Sequence, residues 1–362
     1  MNAAMDQNLL EGIHASTVQT DRYRAAVLTT VDERPAPPGA DALVLVHGNV
    51  SCSWFFQLLM LALPFRTVAI DLRGFGASES APVDARRGLD DFADDLDAVI
   101  AALELGRVHL FGWSMRGAVV ARQAMAGLST IASLVLQAPA PPHGVGGTRA
   151  DGTLLQPDAA GTGGGAANPQ FVAQLAAQET SADAGSPRQV YRSLYVAAGH
   201  QDTPELEDLW VRAMLSTVVG NQNYPGDQVS SAAWPGFAPG EQGVLNALSP
   251  KYLSRADLHT APDLPPVLWI WGEQDVIVAD ESTSDVNHFG ALGVLPGWPG
   301  EEIAPRQPMV TQTRQVLEAY RAAGGSYQEL RLPGVGHSPH LERPDEVRDA
   351  VIDHLHRAAG TS

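Results

Sequence analysis

Short, uninterrupted apolar runs alternate with amphipathic stretches over the first 139 residues. Residues 16–31 partly alternate polar and apolar side chains, which predicts a strand with one wet face. Residues 35–39, rich in proline and glycine, read as a turn. Residues 42–46 are continuously apolar, the mark of a strand buried on both faces. A helical stretch runs from near Ser53 to Leu63, and residues 67–72 form a second buried strand. Residues 89–105 place Phe92, Leu96, Val99, Ile100 and Leu103 on one helical face. Strand 108–111, helix 115–126 and strand 133–136 follow. This strand–helix rhythm predicts an α/β fold with a parallel sheet covered by helices on both faces.

The rhythm stops between residues 139 and 266. Glycine-rich loops at 144–147 and 161–165 give way to helical patterns near 169–178, 187–198 and 205–219, then to a stretch dotted with proline and tryptophan that includes Trp234. It resumes with a strand at 267–271, a helix at 311–323, a strand at 327–332 and a helix at 344–358. One sheet domain, residues 1–139 and 266–362, is therefore interrupted by an insertion at 140–265. A second excursion, 280–309, is long for a plain loop, and loops of that length usually serve function. There is no internal repeat.

Phe111-Gly112-Trp113-Ser114-Met115-Arg116-Gly117 stands where a buried strand turns directly into a helix. A serine on such a turn is lifted clear of the sheet. The next backbone N–H shares its space, and the helix N-terminus adds positive potential. The plainer reading is a serine that caps the helix. Three further segments end strands in the same way: Val46-His47-Gly48-Asn49-Val50, Trp271-Gly272-Glu273-Gln274-Asp275, and Gly334-Val335-Gly336-His337-Ser338-Pro339-His340. The order Ser…Asp…His, each on a loop after its own strand, is hard to reach by chance.

These segments resemble the α/β-hydrolases, over nearly the whole chain outside the insertion. The resemblance implies an α/β-hydrolase fold, a mostly parallel sheet flanked by helices, with 140–265 as a mainly helical cap. It implies Ser114 as nucleophile, Asp275 as triad acid with Glu273 and Asp280 as rivals, and His337 as base. The implied oxyanion donors are the N–H groups of Asn49 and Met115. His47 and His340 are expected to be structural, as is the turn Asp71-Leu72-Arg73-Gly74-Phe75-Gly76-Ala77-Ser78, which matches a family turn. One departure stands out: the family pattern has glycine where this chain has Arg116, and Gly117 comes one residue later. An unpaired buried charge is very costly, so the Arg116 head is expected to reach solvent or a carboxylate and to point away from the oxyanion site.

In such a site His337 would take the Ser114 proton as the hydroxyl attacks a carbonyl, and Asp275 would fix the imidazole tautomer. No His-Glu-x-x-His and no paired cysteines are present, so no metal is expected, and no cofactor. Trp113, Val50, Phe55 and Trp234 are candidate pocket residues, and the apolar surroundings point to a lipophilic ester or lactone as substrate. A carbon–carbon bond hydrolase, a cofactor-free haloperoxidase-like enzyme and a ligand receptor are the alternatives on the same fold. Haloalkane dehalogenase chemistry needs an aspartate where Ser114 stands.

Charge narrows the partners. Lys+Arg is 23 against Asp+Glu 41, a formal charge of −18, which argues against a nucleic-acid partner and against anionic membranes. Cys52 is the only cysteine, so an intramolecular disulfide is impossible and a reducing cytoplasm is the expected setting. Residues 1–24 have acidic residues and no long apolar run, unlike a signal peptide, and no stretch of about 18 apolar residues predicts a membrane span.

Overall fold

The computed structural model describes residues 7–254 and 256–360. The outer ends of the expected sheet domain, 1–6 and 361–362, and Arg255 of the insertion lie outside these. An eight-stranded sheet forms from β1 (Ile13–Gln19), β2 (Arg24–Thr30), β3 (Ala42–Val46), β4 (Thr67–Ile70), β5 (Arg107–Trp113), β6 (Thr130–Gln137), β7 (Val267–Gly272) and β8 (Tyr327–Leu332). Its order is β1-β2-β4-β3-β5-β6-β7-β8. The β1–β2 and β2–β4 pairs are antiparallel, and every pair from β4 to β8 is parallel.

One expectation is corrected at once. Residues 16–31 are not one strand but the hairpin β1–β2, because Thr20 closes a turn with both its N–H and its hydroxyl on the Tyr23 carbonyl. Thr20, Asp21 and Arg22 interrupt the alternation with polar side chains suited to a turn.

The continuous apolar run of β3 is explained by its place inside the sheet. Ala42, Val44 and Val46 enter the core on one face, with Phe92, Leu96, Val99 and Ile100 of helix α1 (Asp90–Ala102) and Val119 and Val120 of α2 (Met115–Ala126). Leu43 and Leu45 enter the core on the other. Side chains alternate across a strand, so burial on both faces requires both registers to be apolar.

The insertion leaves after β6 and returns at β7, and these two strands pair directly, with Leu134 opposite Val267. It contains helices α3 (Pro169–Ala176) and α4 (Pro204–Leu215), a π-helical turn at Tyr191–Tyr195 and two small ribbons. Asn168 and Thr203 cap α3 and α4, each with proline in the first turn. Helices α5 (Met309–Ala322) and α6 (Pro344–Gly360) complete the layers. Among the described residues no helix is long and apolar enough to cross a membrane.

The turn after β4 is architectural, as expected. Asp71 accepts from the N–H of Ser53 and of Ala77, while the Ser78 hydroxyl donates to the Asp71 carbonyl. At Gly76, φ is +59° and a Cβ would overlap the Asp71 carboxylate, so only glycine closes this turn.

Candidate active site

Ser114 sits between β5 and α2 with φ 57° and ψ −125°, a conformation that costs a non-glycine residue about 1–3 kcal/mol. Its hydroxyl makes no cap hydrogen bond to α2, which removes the plain capping role. The turn is held instead by backbone: Ser114 N–H donates to Gln137 O at 2.8 Å, and Ala140 N–H donates to Ser114 O at 2.9 Å. Glycine is required on both sides. A Cβ on Gly112 would lie 2.3 Å from Arg116 O, and one on Gly117 would lie 2.7 Å from Pro139 Cβ. The close approach of α2 to its neighbour therefore falls on Gly117, which is how the chain accommodates a side chain at position 116.

Asp275 and His337 come from adjacent strands. β7 and β8 are in register to Gly272 opposite Leu332. The loop after β8 then folds back over the end of β7, with Gln274 N–H donating to Val335 O at 2.8 Å. A Cβ on Gly272 would meet Val335 O at 2.2 Å. Asp275 Oδ2 lies 2.8 Å from His337 Nδ1, and Oδ1 accepts from the N–H of Ile277 and Val278. The carboxylate thus orients the ring with Nδ1 donating and Nε2 free. The rivals are engaged elsewhere: Glu273 pairs with Arg331 at 2.6 Å, and Asp280 accepts from Val310 N–H and Thr311 N–H at the start of α5. Ser114, Asp275 and His337 are all buried. Among the described residues no group hydrogen-bonds Ser114 Oγ; such bonds often form only with substrate present.

Gly48 carries the other half of the arrangement. Its Cα passes under the serine turn, where a Cβ would sit 3.1 Å from the Trp113 ring and 3.3 Å from Ser114 Cβ. Its carbonyl accepts three bonds: His47 Nδ1–H at 2.8 Å, Ser51 Oγ–H at 3.0 Å and Arg116 Nη1–H at 3.2 Å. A trans peptide sets C=O and N–H in opposite directions, so these three donors aim Asn49 N–H the other way. Met115 opens α2, so its N–H has no acceptor within the helix. Asn49 Oδ1 is buried and has no hydrogen-bond partner among the described residues.

His47 is structural: Nδ1 donates to Gly48 O, Nε2 accepts from Leu72 N–H, and burial beside Arg116 pushes its pKa well below the usual value. His340 is likewise buried, bonded to Gln137 through Nδ1 and packed on Trp113 and Phe56. Burial first, then the His337 charge, pull it down to about 3.

The expectation for Arg116 is overturned. The guanidinium is fully buried and, among the described residues, reaches no carboxylate. It lies over the rings of Phe75 and Phe92, 4.3 and 4.8 Å from their centroids, and its contacts are Gly48 O and Met115 Sδ. Aromatic faces and a carbonyl take the place of a counter-ion, and they bring the head to the Gly48–Asn49 loop, not away from it. Burial pulls its pKa down to about 9.

Of the candidate pocket residues, Phe55 and Trp113 are fully buried with ring centroids 5.2 Å apart, and Val50 is buried with φ +44°. Trp113 Nε1–H donates to His337 O at 2.8 Å. Trp234 lies against the second excursion, donating to Pro296 O at 2.9 Å.

Two residues of this site carried no sequence signal. Tyr195, on the π-helical turn, donates its hydroxyl to Asn49 O at 2.8 Å and lies 3.1 Å from Val50 O, with its ring 6.1 Å from that of His337. Glu342 accepts from Gly336 N–H through both oxygens and from Ala197 N–H at 2.9 Å. The insertion is thereby tied to the loops of Asn49 and His337. Both contacts join residues about 145 positions apart, beyond the reach of local pattern.

A family model described as "Alpha/beta hydrolase family" matches residues 43–350. The chain belongs to that family. Its sheet, flanking helices and inserted region agree with the alpha/beta hydrolase fold. A carboxylesterase from Bacillus subtilis shares the fold, with a TM-score of 0.58, 18% identity, and 97% of this chain and 95% of that one covered. Two curated proteins of Pseudomonas putida match in part. The dihydrolipoyllysine-residue acetyltransferase component of an acetoin cleaving system is 36% identical over 142 residues, 37% of this chain and 35% of that protein. N-formylmaleamate deformylase is 40% identical over 100 residues, 27% of this chain and 37% of that protein. The chain thus spans little more than a third of the length of the curated relatives it matches.

Proposed function

We propose that this alpha/beta hydrolase is a serine hydrolase that cleaves a carboxylic ester or lactone of a lipophilic small molecule. The observation that carries the reading is Ser114 held at a positive φ between strand and helix, while Asp275 Oδ2 holds His337 Nδ1 at 2.8 Å. In this reading His337 Nε2 takes the Ser114 proton as Oγ attacks the carbonyl carbon. The oxygen becomes negative and is received by the N–H groups of Asn49 and Met115. His337 returns the proton to the leaving alcohol as the C–O bond breaks, leaving an acyl-Ser114. Water, deprotonated by His337, repeats the attack and frees the acid. Asp275 stabilises the imidazolium at each stage. Residues 140–265 act as the cap over this chemistry, since Tyr195 and Ala197 bond to the site loops.

The test is a panel of p-nitrophenyl esters of graded chain length, with lactones and formyl amides, run against Ser114→Ala. Expected is parent turnover of at least one ester or lactone and a loss on the order of 10³ or more in the variant. Turnover that survives Ser114→Ala refutes the reading.

A further inference from the structure

Resting on that reading, we propose that Arg116 is a positioning residue for the oxyanion loop: through the Gly48–Asn49 peptide it orients and polarises the Asn49 N–H that receives the developing negative charge.

The argument begins with an imbalance of charge. Arg116 is the one guanidinium among the largest fully buried side chains, and no carboxylate pairs with it among the described residues. Among the described residues its Nε and Nη2 have no hydrogen-bond partner. A buried cation left this way is costly, and the rings of Phe75 and Phe92 offset only part of that cost. What the charge does reach is Gly48 O, at 3.2 Å. The other two donors to that oxygen are neutral: Ser51 Oγ, and His47, whose Nε2 accepts from Leu72 N–H and so carries no proton. Arg116 is therefore the only charged donor on the carbonyl whose opposite end is Asn49 N–H.

A donor on a peptide oxygen draws electron density from the nitrogen side and strengthens that N–H as a donor. A substrate carbonyl is nearly neutral before attack and negative after it. The buried charge thus favours the tetrahedral stage over the bound ester and acts on kcat more than on KM. A residue that only fills space would not make that distinction.

The experiment uses the full chain with p-nitrophenyl butyrate as substrate and butylboronic acid as a probe that forms an anionic tetrahedral adduct on serine. Parent, Ser114→Ala, Arg116→Met and Arg116→Lys are compared after circular dichroism has shown each to be folded. Methionine suits the Phe75–Phe92 surroundings; should it not fold, Arg116→Gln carries the same comparison. Expected for Arg116→Met is a fall in kcat of tenfold or more, a KM within threefold of the parent and a matching loss of boronic acid affinity. Arg116→Lys offers a cationic donor only while protonated, and burial lowers a lysine further than an arginine, so its kcat relative to Arg116→Met is expected to rise as pH falls. Turnover that survives Ser114→Ala overturns the function and the inference together. Ser114-dependent turnover with Arg116→Met within twofold of the parent kcat overturns the inference alone, as does a ratio of Arg116→Lys to Arg116→Met that stays at one at every pH with measurable turnover.

Discussion

Replacing Glu342 by Gln keeps the shape of the side chain and removes its charge. The carboxylate is buried and serves two N–H groups: Gly336, shared between its oxygens at 2.9 and 3.0 Å, and Ala197 at 2.9 Å. A hydrogen bond to a charged group contributes about 1.5–3 kcal/mol and a neutral one about 0.5–1.5, so two N–H groups each lose about 1 kcal/mol. If the amide oxygen takes the position nearer Ala197, the new NH2 faces Gly336 N–H, donor against donor, which adds a further fraction. The expected cost is about 2–3 kcal/mol. At roughly 1.3 °C per kcal/mol for a chain of this size, that is a melting point about 3–4 °C lower. The assay is thermal unfolding followed by circular dichroism, with Glu346→Gln as control, an exposed residue 3.6 Å from Arg343 whose loss is expected to move the melting point by less than about 1 °C. His337 follows Gly336 directly, so kcat for a cleaved ester is expected to fall about tenfold with little change in KM. A Glu342→Gln protein that melts within about 1 °C of the parent would refute the reasoning, because it would mean that Glu342 does not hold the cap to the His337 loop.

Trp210 is fully buried against Phe55, with centroids 5.1 Å apart, and its Nε1–H reaches Asp202, so Trp210→Ala is expected to cost about 3–5 kcal/mol. Trp234 is partly exposed, and Trp234→Ala is expected to cost far less; comparable denaturant midpoints for the two variants would contradict this. Asp285 is buried and its pKa is raised to about 6, chiefly by burial, with Gln307 N–H and Asn287 N–H working against the shift. Its folded value lies above its unfolded value near 3.9, so the folded state binds more protons between them and this contribution to stability falls as pH rises from about 4 to 6. Melting points across that window should fall more steeply for the parent than for Asp285→Asn, and equal slopes would count against it.

The pattern of the chain carried the layer architecture because burial on both faces leaves an unbroken apolar run, as in β3, and because the ends of α2 and β8 coincide with abrupt changes of pattern. It carried the candidate site because Ser114, Asp275 and His337 each follow a strand within a short, glycine-marked loop. Only the family resemblance put Asp275 ahead of Glu273 and Asp280; local pattern alone leaves the three alike, and they differ in the partners that folding gives them. It misjudged Arg116, because a guanidinium between two phenylalanine rings and a carbonyl needs neither water nor a carboxylate, and those rings lie far away in sequence. The hairpin of β1 and β2 was missed because its turn is short and the alternation resumes beyond it.

β8 is an edge strand, with a ladder on β7 alone, and the Asp275–His337 contact hangs from that ladder. The sheet acts as a ruler: a slip of one residue along it moves a side chain by about 3.3 Å, more than any hydrogen bond can span. The least supported graduation of that ruler lies at the rim, beneath His337. Fraying of a few rungs there would part Asp275 from His337 while the inner strands kept their pairing. With the proposed roles of Asp275 and His337, the molecule falls silent long before it comes apart, so persistence of the fold and readiness for chemistry are set by different parts of one sheet.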